Sequence, residues 1–329
     1  MPLRLSRRGL LSAPLLALPA FASVRAKAAE ESFPAFIAAV KREAIARGLK
    51  ASTVERALAQ TRFLPHVIEL DRHQPEEVLS FEQYLEKVVT PERENAAQRH
   101  LDGNWDLLYG IARRYRVAER VIVALWGIES DFGAIMGDYP VPSAIATLAF
   151  DGRRGVYFRG ELIAVLRILN ERDIAFPEMI GSWAGAMGQC QFMPSTFLRY
   201  AVDYDGDGRR DIWGDRADVL ASIANYLSRL GWREDESWGE EVSLPKGFDT
   251  KLAGLAKRHP VAEWRRLGVE TLDARPLRRR TDKASLILPG GNAGPALLVY
   301  DNFRTIMRWN NSTYFAAAVG FLADSMERG

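Results

Sequence analysis

The sequence carries one acidic residue at the end of an apolar run: Val121–Ile128 is apolar almost throughout, and Glu129 follows it, ahead of Ser130-Asp-Phe-Gly133. Such a run reads as a helix buried on all sides. A carboxyl group carried inward at a helix C-terminus meets the negative end of the helix dipole and a poor solvent. Both favour its neutral form. A glutamic acid kept protonated near neutral pH is what general-acid cleavage of a glycosidic bond requires. The same residue could instead turn to solvent at a fraying helix end, or pair with an arginine. Asp131 does not make a carboxylate pair with it, because residues two apart on a helix do not share a face, and Asp131 is expected to be structural.

A second unusual stretch runs from Gly181 to Ser195, Gly-Ser-Trp-Ala-Gly-Ala-Met-Gly-Gln-Cys-Gln-Phe-Met-Pro-Ser. Its small residues permit close backbone approach to a ligand or to another chain segment. Gln189 and Gln191 offer amides, and Trp183 and Phe192 offer flat faces, the equipment of a sugar-binding groove. A tight helix–helix crossing would use the same small residues. Cys190 has no histidine near it in sequence to activate it, and its small neighbours point to a buried, inert thiol.

The third stretch is Asp203-Tyr-Asp-Gly-Asp-Gly-Arg-Arg-Asp211. Counted from Asp203, acids fall at positions 1, 3, 5 and 9 and glycine at position 6, the spacing of an EF-hand calcium loop with Gly208 at the turn. Position 12, normally a bidentate glutamate, is Gly214, so Asp215 or Asp218 has to supply the last ligand. Asp218 is also placed to cap the helix that follows. Six aspartates between 203 and 218, against three arginines, repel one another without a cation. A solvated acidic loop is the plainer alternative.

These stretches need elements to hold them. Apolar spacing predicts a helix from Phe33 to Gly48, and Ser52-Thr-Val-Glu55 reads as the capping box of a second. Ser80-Phe-Glu-Gln83 reads as the capping box of a third. One long helix is expected from Pro91 to about Arg114, then helices near 143–149, 157–171, 195–202 and 218–230. From Trp232 to about Val299 charge, proline and glycine interleave with short β-prone runs such as Glu241–Pro245 and Leu286–Leu288. The C-terminus returns to helix from about Tyr314 to Met326. The expected class is mainly α, with one small β-rich insert.

The 329 residues carry 44 basic and 42 acidic side chains, but the first 28 hold five basic residues and no acid. That leader has a basic head, a short apolar middle broken by Pro14 and Pro19, and small residues at Ala26 and Ala28, the plan of a cleaved export signal. Its apolar middle is too short for a transmembrane span of about 20 residues. Ser6-Arg-Arg-Gly-Leu-Leu11 resembles a twin-arginine signal, and a general secretory signal with paired arginines is the alternative. Without the leader 39 basic residues face 42 acidic ones, a balance of −3, which removes the footprint of a nucleic-acid binder. A single cysteine rules out an internal disulfide, and four scattered histidines (His66, His73, His100, His259) argue against a zinc site or a histidine triad.

Ala124–Gly133, Gly185–Ser195 and Asp203–Trp213, with Ala224-Asn-Tyr-Leu227, Tyr300-Asp-Asn-Phe303 and Trp309-Asn-Asn-Ser312, together resemble the B-type lytic murein transglycosylases in a form exported with a signal peptide. The resemblance covers most of the chain after the leader, in order. It implies a signal peptide over 1–28, an N-terminal helical domain over 29–115, and a lysozyme-like helical core with an EF-hand-like calcium loop over 116–232. A small β-rich subdomain over 233–299 and a C-terminal helical segment over 300–329 complete it. It implies Glu129 as sole catalytic acid and base, with Ser182, Gln191, Tyr226 and Asn310 lining the groove. It implies structural Ca2+ held by Asp203, Asp205, Asp207, the Arg209 carbonyl and Asp218. The loop end Trp213–Asp218 is one residue longer than the family pattern, which leaves Asp215 or Asp218 as last ligand. The implied reaction cuts the β-1,4 bond from N-acetylmuramic acid to N-acetylglucosamine and leaves 1,6-anhydromuramyl ends. A periplasmic monomer is expected, acting on peptidoglycan strands alongside proteins of wall synthesis and remodelling.

Overall fold

A computed structural model describes residues 32–72, 79–273, 277, 283–291 and 294–326. The leader with its arginine pair lies outside the described residues, as does His73.

Three helices open the described chain: α1 (Phe33–Ala46), α2 (Ala51–Gln60) and α3 (Pro65–Arg72). The first two pack on α9 (Gly155–Glu171), and α1 and α3 also on α8 (Val141–Asp151). The second helix does not start with a capping box at Ser52. It begins at Ala51 after Lys50, with no side-chain cap, and the Lys50 N–H is held instead by Asn170 Oδ1 at 3.1 Å. A tertiary hydrogen bond takes the place of the local one. The expected box at Ser80 and Gln83 is present at the start of α4 (Phe81–Val88), each partner accepting the other's backbone N–H.

The long helix expected from Pro91 is two helices, α5 (Pro91–Gly103) and α6 (Trp105–Tyr115). Asn104 closes one and opens the other, and its side-chain amide donates to the His100 carbonyl at 2.7 Å. Gly103 weakens the helix, and Asn104 offers its carbonyls another partner. Beyond Val117 comes α7 (Glu119–Ser130), in which Val121 through Gly127 are all buried. It runs through the centre, enclosed by α5, α6, α11 (Arg216–Arg229) and α14 (Thr313–Ser325). Burying side chains such as Leu125 and Trp126 completely contributes about 1.5–3 kcal/mol or more apiece.

Shorter elements fill in around this centre. A two-residue ribbon pairs β1 (Tyr139–Pro140) with β2 (Ile180–Gly181). Helix α10 (Pro194–Tyr200) starts at Pro194 as the sequence suggests. Buried Glu161 accepts both the backbone N–H and the hydroxyl of Ser195, at 2.8 and 2.6 Å, a carboxylate at a helix N-terminus. The β-rich insert is an antiparallel sheet in the order β4-β3-β6-β5, built from β3 (Gly239–Ser243), β4 (Glu270–Thr271), β5 (Ser285–Ile287) and β6 (Ala296–Val299). Alternation along β6 is regular: Leu297 and Val299 join the main core, while Ala296 and Leu298 join a separate cluster around Trp264 and α12 (Val261–Arg266). Helices α13 (Asp301–Met307) and α14 return the chain to the centre. No helix among the described residues is long and apolar enough to cross a membrane.

Candidate active site

Glu129 is the penultimate residue of α7, half-buried where the helix ends. The chain leaves the helix through three residues with positive φ: Asp131 at 49°, Phe132 at 59° and Gly133 at 90°. The Asp131 N–H donates to the Gly127 carbonyl at 3.0 Å and the Phe132 N–H to that of Trp126 at 3.4 Å, closing the last turn. This reversal throws the Phe132 ring back over the helix. A Cβ on Gly127 would stand 2.6 Å from it, so the glycine is required. Phe132 then lies edge-on to Trp126 at 5.5 Å and stacks on His100 at 4.4 Å. Asp131 pairs with Arg93 at 3.5 Å.

The Gly181–Ser195 stretch forms the neighbouring wall. Gly181 is pinned between strands, since a Cβ there would come within 2.1 Å of the Ala186 carbonyl oxygen. Ser182 closes the tight turn: its Oγ accepts the Ala186 N–H at 3.0 Å, leaving its O–H free to donate to a ligand. Gln189 is not a ligand group. Its Oε1 accepts the Trp126 indole N–H at 2.8 Å and its amide donates to the Trp213 carbonyl at 2.7 Å, so it ties α7 to the end of the aspartate loop. Gln191 (φ 49°) gives its amide protons to the Met136 and Gly188 carbonyls at 3.1 and 2.9 Å; its Oε1 remains for a ligand. Phe192 is buried rather than presented as an open face, as the sequence suggested. Cys190 is also buried, donates to the Val219 carbonyl at 3.4 Å and has its thiol pushed well up by burial and then by Glu129, consistent with an inert thiol.

An aromatic cluster completes the surroundings of the acid. The Tyr226 hydroxyl donates to the Arg308 carbonyl at 2.6 Å, and its ring lies among Tyr200, Phe192 and Trp309, with Trp309 4.6 Å away. Burial, Tyr200 and the charge of Glu129 push the Tyr226 phenol up to about 12. Tyr84 on α4 is raised by burial and by Glu129 too. Glu129 itself is pushed up to about 8 by burial, against an indole hydrogen bond from Trp309 that favours the charged form. Asn310 is exposed beside Trp309 in the turn between α13 and α14. Sequence reasoning missed Tyr84, and it quoted Trp309 without giving it a role; neither follows from spacing, because both reach Glu129 from elements distant in sequence.

The end of the aspartate loop is joined to this wall, where the Gln189 N–H donates to the Ile212 carbonyl at 2.8 Å. Carboxylate oxygens of Asp203, Asp205 and Asp218 come within 4.8 Å of one another, close enough to share a cation. Gly208 makes the turn with φ 90°. Asp207 is not in that cluster; its carboxylate accepts the Arg209 N–H at 2.8 Å. The helix cap is not Asp218 but Asp215, which accepts the N–H groups of Ala217 and Asp218 at 2.7 and 3.0 Å. Asp218 sits inside the first turn of α11, buried, where it accepts the N–H groups of Tyr204 and Asp211 at 2.6 and 2.7 Å. Burial raises it to about 6, with Asp215 and Asp205 pushing the same way. A buried oxygen donor beside two further carboxylates fits a hard divalent ion such as Ca2+.

Comparison with known proteins agrees with this geometry. A family model described as "Transglycosylase SLT domain" matches residues 32–324. Membrane-bound lytic murein transglycosylase B of Escherichia coli is 32% identical over 256 residues, which are 74% of this chain and 66% of that protein's length. SltB3 from Pseudomonas aeruginosa, solved in complex with NAG-anhNAM-pentapeptide, superposes with TM-score 0.88 at 46% identity, over 91% of this chain and 80% of that one. The Escherichia coli lytic transglycosylase Slt35 in complex with calcium superposes with TM-score 0.74 at 29% identity, over 88% of this chain and 92% of that one.

Proposed function

We propose, on the premise that this chain belongs to the transglycosylase SLT-domain family, that it is a lytic transglycosylase acting on peptidoglycan, with Glu129 as its only acid and base. The observation that carries the proposal is a carboxyl group at a helix end, pushed up to about 8 by burial, with an indole N–H placed to receive its anion. Glu129 is protonated at neutral pH and donates to the glycosidic oxygen between N-acetylmuramic acid and N-acetylglucosamine. The substrate's own N-acetyl group stabilises the oxocarbenium-like centre, in place of the partner carboxylate that most glycosidases supply. Glu129, now ionised, accepts the proton of the muramic 6-hydroxyl as that oxygen attacks the anomeric carbon. The glycosidic bond breaks, the new ring bond forms and no water is consumed. Intramolecular attack gains the advantage of proximity over a free water. The Trp309 indole N–H stabilises the carboxylate that forms between the two steps.

Ser182, Gln191, Tyr226 and Asn310 line the groove in this reading, Ser182 through its unused O–H and Gln191 through its Oε1. Asp203, Asp205 and Asp218 would hold a structural calcium ion, to which the family resemblance adds Asp207 and the Arg209 carbonyl. The ion would balance the charge of the loop and would supply nothing to the bond cleavage. The leader directs the protein to the periplasm.

Mass spectrometry of digested sacculi tests the reaction. Fragments ending in 1,6-anhydromuramic acid are expected; fragments carrying an added water in their place would make the protein a hydrolytic muramidase. Intact sacculi after incubation would make it a binding protein.

A further inference from the structure

An open groove lies between α2, the end of α9 and the aspartate loop, and three arginines border it: Arg56, Arg172 and Arg209. The acids nearest in sequence are already engaged. Glu171 pairs with Arg167 and Arg210 at 2.7 Å each, and Asp173 with Arg210 at 2.6 Å. Arg56 and Arg172 have no ion-pair partner among the described residues, and Arg209 meets Asp207 at 3.5 Å across an exposed pair of little worth. Arg172 is also left-handed, with φ 69° and ψ 23°, at the C-cap of α9. Glycine or asparagine is the usual occupant of that conformation, and another side chain there costs about 1 kcal/mol or more. A guanidinium is held over the groove at a position where helix geometry favours a different residue.

Leu169 and Phe176 also line the groove, as does Glu178, which has no basic partner among the described residues. The groove therefore offers cations, one anion and hydrocarbon together. A short 3-10 turn, Phe176–Glu178, leads from it directly into β2 and Ser182, so the groove adjoins the wall of the site.

We propose that this groove binds a carboxylate-bearing peptide, specifically the stem peptide of peptidoglycan, apart from the sugar site around Glu129. The inference rests on the activity proposed above for its source of ligand. Arg56 and Arg172 take the peptide carboxylates through paired N–H donors. Leu169 and Phe176 receive alanine methyls and the stem of the diamino acid, and Glu178 takes its amine.

Titration of the full chain with a free, sugar-less stem tetrapeptide tests it. The wild type is expected to bind the peptide, and the same peptide with amidated carboxylates at least tenfold more weakly. The double variant Arg56→Gln, Arg172→Asn should lose at least tenfold in peptide affinity with an unchanged or higher melting temperature, since asparagine accepts the left-handed conformation. The variant should cut peptide-free glycan strands normally and show a KM raised several-fold on peptide-bearing strands. Equal peptide affinity in wild type and variant overturns the proposal, as does binding of inorganic phosphate without binding of the peptide. If the wild type cuts neither strand, the proposed activity fails, while the peptide titration still decides the groove.

Discussion

Glu129 and the aspartate loop are both tied to the Gly181–Ser195 wall through Gln189, and the protein treats their carboxylates in opposite ways. Glu129 receives one indole N–H, which burial outweighs, pushing it up to about 8. Asp203 is pushed up by desolvation, but the N–H groups of Gly208 and Gly206 outweigh this and hold it below the usual carboxylate range. Removing backbone donors and charge partners leaves a group that exchanges its proton near neutrality; supplying backbone donors leaves a permanent anion suited to a cation. Asp218 stands between the two, with two N–H donors yet buried beside other acids. Asp203 and Asp218 each receive two backbone N–H groups, so the difference between them lies in burial, and Glu129 combines burial with a single donor.

The largest effect that would break this contrast comes from Glu129→Gln. Strand cleavage should fall by about 10³-fold or more, with binding of glycan retained; turnover near normal would remove Glu129 from the chemistry. The same variant should change stability in a defined direction. The folded protein holds a proton on Glu129 that the unfolded chain releases above about pH 4.5, so ionisation opposes folding as pH rises from there toward about 8. Glu129→Gln removes that penalty and should be more stable than wild type at pH 7, by about 1–3 kcal/mol, with the two converging below pH 4. Unfolding curves at pH 4 and 7 give the comparison, and a variant that is less stable at both would contradict the burial account.

Decalcification probes the other side. Full removal of divalent ions should lower the melting temperature by about 5 °C, as loss of a ligand present well above its Kd would, and Asp203→Asn should reproduce the loss in the presence of calcium. An unchanged melting temperature would leave the loop as a solvated acidic turn. The smallest effect concerns the one donor on Glu129. Trp309→Phe removes the hydrogen bond that favours the anion, so the alkaline limb of the rate profile should move upward, by about one pH unit or less. A downward shift would mean that the indole stabilises the neutral acid.

Much of this contrast is legible in the sequence because it is local. The apolar run before Glu129 sets both its burial and its place at a helix end, and Asp203–Asp211 sets the loop spacing. The capping box at Ser80 is local too, and it forms as read. What is not legible depends on partners far away in the chain. Gln189 looks like a sugar ligand until Trp126 and Trp213 occupy its amide. Ser52 looks like a cap until Asn170 takes the Lys50 N–H. Asp215 and Asp218 are equivalent candidates on spacing alone. Only the packing of Asp218 against Tyr204 and Asp211 separates the cap from the cluster. The break at Asn104 had its signal in the Gly103-Asn104 pair, which the apolar pattern on either side obscured.

The left-handed turn after Glu129 bears on how this protein could be altered. Asp131 and Phe132 each adopt a conformation that costs a non-glycine residue about 1–3 kcal/mol, and the ring they swing back is what seats Trp126 and, through Gln189, the wall opposite. Selection for heat tolerance could use glycine at Asp131, which relieves its share of the strain and gives up only a partly exposed pair with Arg93, but not at Phe132, where losing the ring packed on Trp126 and His100 outweighs the relief. Glycine at 131 would also slacken the helix end that aims the acid, so thermal robustness and catalytic rate pull against each other at that one residue.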